Sequence, residues 1–268
     1  MTVRAPAFAG EWYPGDARAV ERELRRLMPV AAAPGTATAL VAPHAGWRYS
    51  GAVAGAVYGA ARVPDRVVLI GPNHTGLGAR KAIAAAGAWH IPGQELSIDV
   101  EAVSALLARA PGLRSDDLAH AMEHSLELQL PFLAERNRDL SIVPVCLYPQ
   151  PLDDCLSLGL ALADAVRSLP GETLLVASTD MNHFDTKLVN NQKDRDAIDR
   201  MVAFDPEGLY DVVSRERISM CGVVPATIVL VAARALGATT ARLVRYADSS
   251  DVDGRIDRVV GYAGLIVS

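Results

Sequence analysis

The chain has 268 residues, half of them apolar, with 26 basic against 31 acidic side chains and a net charge of −5. That is ample material for a core, and the absence of any basic block or aromatic–basic interleaving gives a nucleic-acid partner no support. No apolar stretch approaches the roughly 20 residues of a membrane span, and Met1–Pro6 lacks the apolar core of a signal peptide, so a soluble cytoplasmic protein is expected.

Strand-like and helix-like segments alternate along the chain. This pattern predicts a single α/β domain over residues 1–268, with a mainly parallel central sheet flanked by helices. Asp16 is placed to cap a helix through Met28, in which Ala19, Val20, Leu24 and Leu27 recur at helical spacing. Thr38–Ala42 is a short apolar run stopped by Pro43, as a buried strand would be, and Gly51–Ala61 is small and apolar enough for a helix packed on it. Val67–Ile70 runs into Gly71-Pro72, a second buried strand with a sharp end. Residues 81–98 break the rhythm and read as an antiparallel hairpin around Ile91-Pro92-Gly93-Gln94. Asp99 caps a helix to about Ala108. Glu123–Glu135 follows as another, with Leu126, Leu130 and Leu133 on one face and Glu123 and Glu127 one turn apart. Strand Leu140–Leu147, helix Pro151–Ser168 and strand Thr173–Ala177 continue the alternation. Helices over Lys187–Ala203, from Asp205-Pro206, and over Gly222–Leu236 precede two closing strands, Ala241–Tyr246 and Val259–Val267.

Three histidines and a cysteine sit at strand ends or in Gly/Pro turns, where α/β sheets open their ligand crevices. His44 follows the strand at 38–42 between Pro43 and Ala45-Gly46, and His74 repeats the arrangement after Gly71-Pro72-Asn73. If the two strands are neighbours, as consecutive strands often are, both imidazoles enter one crevice; such donors suit Fe, Cu, Zn or Ni. Asp180 and His183 follow the strand at 173–177, where a carboxylate three residues from an imidazole can orient it or raise its basicity. Cys221 precedes Gly222 and an apolar helix, a position that lowers a thiol pKa. Each has a plainer alternative: a backbone-bonded turn histidine, an Asx-turn, a core cysteine. Cys146 and Cys155 read as small core hydrophobes, and His90 and His120 as structural or solvated. No phosphate loop, Gly-x-Ser-x-Gly elbow, Cys-x-x-Cys pair or His-Glu-x-x-His helix competes.

Taken together, Pro6–Pro14, Ala42-Pro43-His44-Ala45-Gly46-Trp47, Gly71-Pro72-Asn73-His74, Glu123-His124-Ser125-Leu126-Glu127, Ser178-Thr179-Asp180-Met181-Asn182-His183 and Met220-Cys221-Gly222 resemble the Memo-like family, in the family's order. Tyr246–Asp251 and Val260-Gly261-Tyr262-Ala263 resemble its C-terminal pattern. Prokaryotic members are B components of AmmeMemoRadiSam systems. The resemblance implies a fold like that of class III extradiol ring-cleaving dioxygenases. It also implies His44 and His74 as metal ligands, with Cys221 where those enzymes use a carboxylate. His183 would be the acid/base histidine with Asp180 beside it, and His124 a further pocket histidine. The implied metal is Fe(II) first, with Cu or Zn as alternatives, and the implied activity is redox chemistry on a small substrate. The other implied role is that of a non-catalytic partner of an AMME-type protein and a radical SAM protein, with a small molecule or peptide in the pocket; a homo-oligomer is compatible with either. A thiolate in place of a carboxylate is softer and itself oxidisable, which argues against carrying ring cleavage over unchanged.

Overall fold

The computed structural model describes residues 2–29, 31 and 33–268. Strand β1 (Val3–Arg4) leads into helix α1 (Ala17–Leu27), whose first turn is capped by the Asp16 carboxylate accepting from Ala19 N at 3.0 Å. After strand β2 (Ala39–Ala42), helix α2 (Trp47–Ala60) begins one turn earlier than its run of small apolar residues, because Trp47 N donates to Trp12 O at 2.9 Å. α2 lies so close to α1 that a Cβ at Gly55 would fall 2.2 Å from the Leu27 carbonyl oxygen.

Strand β3 (Arg66–Pro72) is followed by the irregular stretch. Here β4 (Lys81–Ile83) joins the main sheet, and only β5 (Ala88–Ile91) and β6 (Gln94–Ser97) form the expected hairpin. Helix α3 (Val100–Leu107) is capped by Asp99, and β7 (Arg114–Ser115) and the short helix α4 (Leu118–Ala121) follow. The helix expected from Glu123 begins only as a 3₁₀ turn at Glu127–Gln129 and continues as α5 (Leu130–Arg136); Glu123 and His124 lie in a loop. Strand β8 (Ser141–Leu147), helix α6 (Leu152–Arg167), strand β9 (Leu174–Ser178) and the short β10 (His183–Asp185) come next. Helices α7 (Lys187–Val202), α8 (Pro206–Arg215) and α9 (Val223–Ala235) precede strand β11 (Ala241–Asp248), one turn of helix α10 (Ser250–Asp253) and strand β12 (Val259–Val267).

The main sheet runs β10-β12-β2-β9-β3-β8-β4-β7, with β11 paired to β12. Its centre, β2-β9-β3-β8, is parallel, while β12 and β4 pair antiparallel on either side, so the sheet is mixed at its margins. β2 and β9 are buried along their whole length, as parallel strands between helix layers are. α2 packs on β2, β11 and β12, and α9 on β2, β3 and β9. β2 and β3 are not neighbours: β9 lies between them. The carboxyl ends of all three therefore face one crevice, with the Ser178–Asp180 segment set between the two histidine loops. Among the described residues no helix is long and apolar enough to cross a membrane.

Candidate metal centre

His44 leaves the end of β2 with 1 % of its surface exposed. Its ring is fixed from behind by Ser178, whose hydroxyl donates its one proton to Ser125 O at 2.6 Å and accepts from Gln129 Nε2 at 2.9 Å. With that proton committed, the contact of 2.9 Å between Ser178 Oγ and His44 Nδ1 has the imidazole as donor. The unprotonated atom is then Nε2, which faces Cys221 Sγ at 3.3 Å. Burial, reinforced by the neighbouring His74, holds the His44 pKa well below its ordinary value and keeps the ring neutral, the form that can ligate a metal.

His74 is treated the same way by a different residue. Glu123, 1 % exposed, accepts from His74 N at 2.6 Å, from His74 Nδ1 at 2.9 Å and from Ser125 N at 2.9 Å. Burial opposes ionisation of Glu123, yet the hydrogen bond from the His74 ring, the electrostatic pull of the His74 and His124 imidazoles and the His74 N–H outweigh it and bring the carboxyl down to about 2. An ionised carboxylate only accepts, so His74 carries its proton on Nδ1 and presents Nε2 to the cleft. A carboxylate behind a ligating imidazole is the usual outer support of a metal-bound histidine. The loop at Glu123 is thus explained: its carboxylate leaves the helical register to serve His74. Glu127, expected on the same helix face, instead points away and anchors the N-terminal segment through Arg4, Ala7 N, Phe8 N and Tyr13 OH.

Cys221 precedes α9 and is partly exposed. Burial and the Asp180 carboxylate push its thiol pKa up, so desolvation defeats the helix terminus that was expected to lower it. The ligand atoms of His44, His74 and Cys221 all lie within 4.8 Å of one another. That spread approaches what one ion bridges with bonds of about 2.0–2.3 Å to nitrogen and sulfur. A soft thiolate with two neutral imidazoles, each pre-set in the ligating tautomer, fits a transition metal.

The same crevice widens into a cleft of about 620 Å³ lined by His44, His74, His124 and His183, with Trp12, Tyr49 and Tyr262 as aromatic walls. His124 stacks on His74 at 4.5 Å and leans on Trp12 at 4.4 Å; burial and the nearby His44 depress its pKa to about 3. Asp180 makes no hydrogen bond to His183. Its Oδ1 accepts from His44 N and Ala45 N at 2.8 and 3.2 Å, bracing the β2 loop, and burial raises its pKa. The residue that holds His183 is Ser219, whose carbonyl accepts from His183 Nδ1 at 2.9 Å. Nothing in the spacing of the sequence pointed to Ser219 or Gln129; Ser178 and Trp12 were visible only as parts of the Ser178–His183 and Pro6–Pro14 segments. His120 is a core residue against Trp89, lowered to about 4 by burial, and His90 is half-exposed.

Known proteins are similar to this chain along nearly its whole length. A family model described as Memo-like protein matches residues 4–266. A MEMO1 family protein of Methanopyrus kandleri is 38% identical over 98% of both chains, and one of Methanosarcina mazei is 37% identical over 100% of both. A third, from Methanothermobacter thermautotrophicus, is 36% identical over 98% of this chain and 99% of its own. Matches of this extent, together with the mixed α/β sheet and the histidine loops at its carboxyl edge, place the chain in the Memo-like family.

Proposed function

We propose that the protein binds one transition-metal ion through His44 Nε2, His74 Nε2 and Cys221 Sγ, and that it is an iron-dependent redox enzyme acting on a small substrate in the adjoining cleft. The observation that carries this reading is that both Nδ1 atoms are already spent, on Ser178 and Glu123, so that the two remaining nitrogens converge on the thiol. When bound, Fe(II) would supply one-electron chemistry and a position open to small molecules. The chain's own residues do the rest. Trp12, Tyr49 and Tyr262 exclude water and receive an apolar body. His183, with its proton held on Nδ1 by Ser219, has Nε2 free to take a proton from a substrate atom. His124, kept neutral by burial, is a hydrogen-bonding partner rather than a cation. Copper or zinc would be held by the same donors, and copper would win by intrinsic affinity wherever it is available.

The test is anaerobic titration of the purified protein with Fe(II), Zn(II) and Cu(I), with elemental analysis of the product. One equivalent should bind, and His44→Ala and Cys221→Ala should each abolish tight binding while circular dichroism shows the fold retained. Unchanged stoichiometry in folded His44→Ala would sink the metal assignment. Oxygen uptake by the Fe(II) form over a panel of small aromatic substrates then separates an enzyme from a metal-binding partner protein.

A further inference from the structure

Behind His183 lies a chain of hydrogen bonds that the metal site does not use. It starts at Asp194 on α7, a carboxylate with no surface exposure. Asp194 Oδ1 accepts from Asn182 N at 2.7 Å, and Oδ2 accepts from Asn190 Nδ2 at 2.8 Å and Tyr246 OH at 2.6 Å. Asn182 is equally buried and uses its whole amide: Nδ2 donates to Asn190 Oδ1 and Asp185 Oδ2, while Oδ1 accepts from Ser219 N at 2.9 Å and Ser219 Oγ at 3.0 Å. Ser219 in turn accepts from His183 twice. Its Oγ accepts from His183 N at 2.8 Å and its carbonyl from Nδ1 at 2.9 Å. Space around the carboxylate is closed as well, since a Cβ at Gly261 would lie 1.8 Å from Asp194 Oδ2.

The grip is maintained against local backbone cost. Phe184, directly after His183, has φ +67, a conformation uncommon for a bulky residue, and the pairing of β10 with β12 shifts register between His183 and Asp185. Strain of this kind persists only where surrounding contacts over-determine it, and it gathers at functional positions. Ser219 also lies two residues before Cys221, so the contact that aims His183 ties its loop to the segment delivering the thiol.

We propose that Ser219, held through Asn182 by the buried carboxylate of Asp194, is the positioning residue of His183, fixing the Nδ1–H tautomer so that Nε2 faces the cleft. This rests on His183 being the proton-handling group of the cleft. It also replaces Asp180 in the orienting role, because the ring nitrogen of His183 bonds Ser219 and not Asp180, whose Oδ1 braces the His44 loop. A carbonyl oxygen cannot donate, so the tautomer follows from the geometry, as with the histidines held behind metal sites and acid–base pairs.

The test uses metal-free full-length protein with ¹⁵N-labelled histidine, which separates it from any failure of metal binding. Long-range ¹H–¹⁵N spectra, with the His183 signals assigned by their loss in His183→Gln, should show a single Nδ1–H tautomer. Asn182→Ala, which takes away the oxygen that anchors both Ser219 N and Ser219 Oγ, should convert those signals to the averaged pattern of a ring exchanging between tautomers, whereas Ser219→Ala, which keeps the accepting carbonyl and the Ser219 N anchor, should leave the single form. An Nε2–H tautomer in the unmodified protein overturns the proposal without recourse to any variant. So does an unchanged His183 signal in folded Asn182→Ala.

Discussion

Replacing Glu123 by glutamine should weaken metal binding while preserving the fold. The carboxylate accepts three hydrogen bonds, two of them from His74, and lies 3.4 Å from His124 Nδ1. Glutamine keeps the shape but offers one acceptor oxygen and one donor nitrogen to a cradle built entirely of donors. If the oxygen stays on His74 Nδ1, the amide nitrogen opposes His74 N; if it turns, the amide donates to Nδ1, the imidazole proton moves to Nε2, and the ligating lone pair is lost. Outer-support mutations of this type cost about 10- to 100-fold in affinity, or about 1.4–2.7 kcal/mol. The assay is competition against a chromophoric chelator under anaerobic conditions, run with Fe(II) and repeated with Zn(II). Glu127→Gln is the matched control. It removes an equally buried carboxylate paired with Arg4 at 2.8 Å, so it should cost about 3–5 kcal/mol of stability with little effect on affinity. Equal affinity of Glu123→Gln and the parent would refute the reasoning, as would an equal loss in Glu127→Gln.

Three further outcomes are expected. Because burial holds the Cys221 thiol protonated, metal binding should release one proton, and affinity should rise about tenfold for each unit of pH between about 6 and 8; calorimetry in buffers of different ionisation enthalpy reads this, and Cys221→Ser should abolish it. Asp194 is raised to about 7 by burial, against the donors that face it. The unfolded carboxyl titrates near 4, so the folded protein retains a proton that the unfolded chain has lost; this contribution to stability is complete below about pH 4 and fades by up to about 4 kcal/mol as pH rises through 7. Urea midpoints across that range should fall more steeply with pH in the parent than in Asp194→Asn, and parallel curves would contradict it. Finally, Gly55→Ala should destabilise by about 3 kcal/mol, because its Cβ meets the Leu27 backbone rather than a movable side chain. On helix propensity alone the same change stabilises by about 1 kcal/mol, so the sign of the change in denaturation midpoint decides between them.

Much of the architecture was legible because punctuation and periodicity are local. Asp16 and Asp99 cap where a capping carboxylate is expected, and Pro43 and Pro72 mark strand ends that carry His44 and His74. Strand order is not local: nothing in either segment says that β9 intervenes between β2 and β3, a consequence of helix packing on both sides. The continuous spacing of Leu126, Leu130 and Leu133 hid the loop at Glu123, because burial of the leucines is satisfied by helix from Glu127 onward, while Glu123 is drawn out by a partner 49 residues away. Proximity in sequence pointed to Asp180 as the partner of His183, whereas the ring nitrogen bonds Ser219 O, 36 residues beyond the histidine. The thiol of Cys221 illustrates a competition of magnitudes, in which proximity to a helix start was legible and the desolvation and the Asp180 carboxylate that oppose it were not.

The contact between His44 and Cys221 spans 177 residues, from the second strand to the start of the last long helix. Donors this far apart pay a large loop-closure cost before they meet, so they come together only once the sheet is complete. An ion bound by these donors would therefore not nucleate the chain in the way that zinc nucleates a finger; it would meet a finished protein. Loading and folding become separate events in time. A copy that has never seen metal and a copy that has lost it should be the same molecule, ready to be filled again through the open mouth of the cleft.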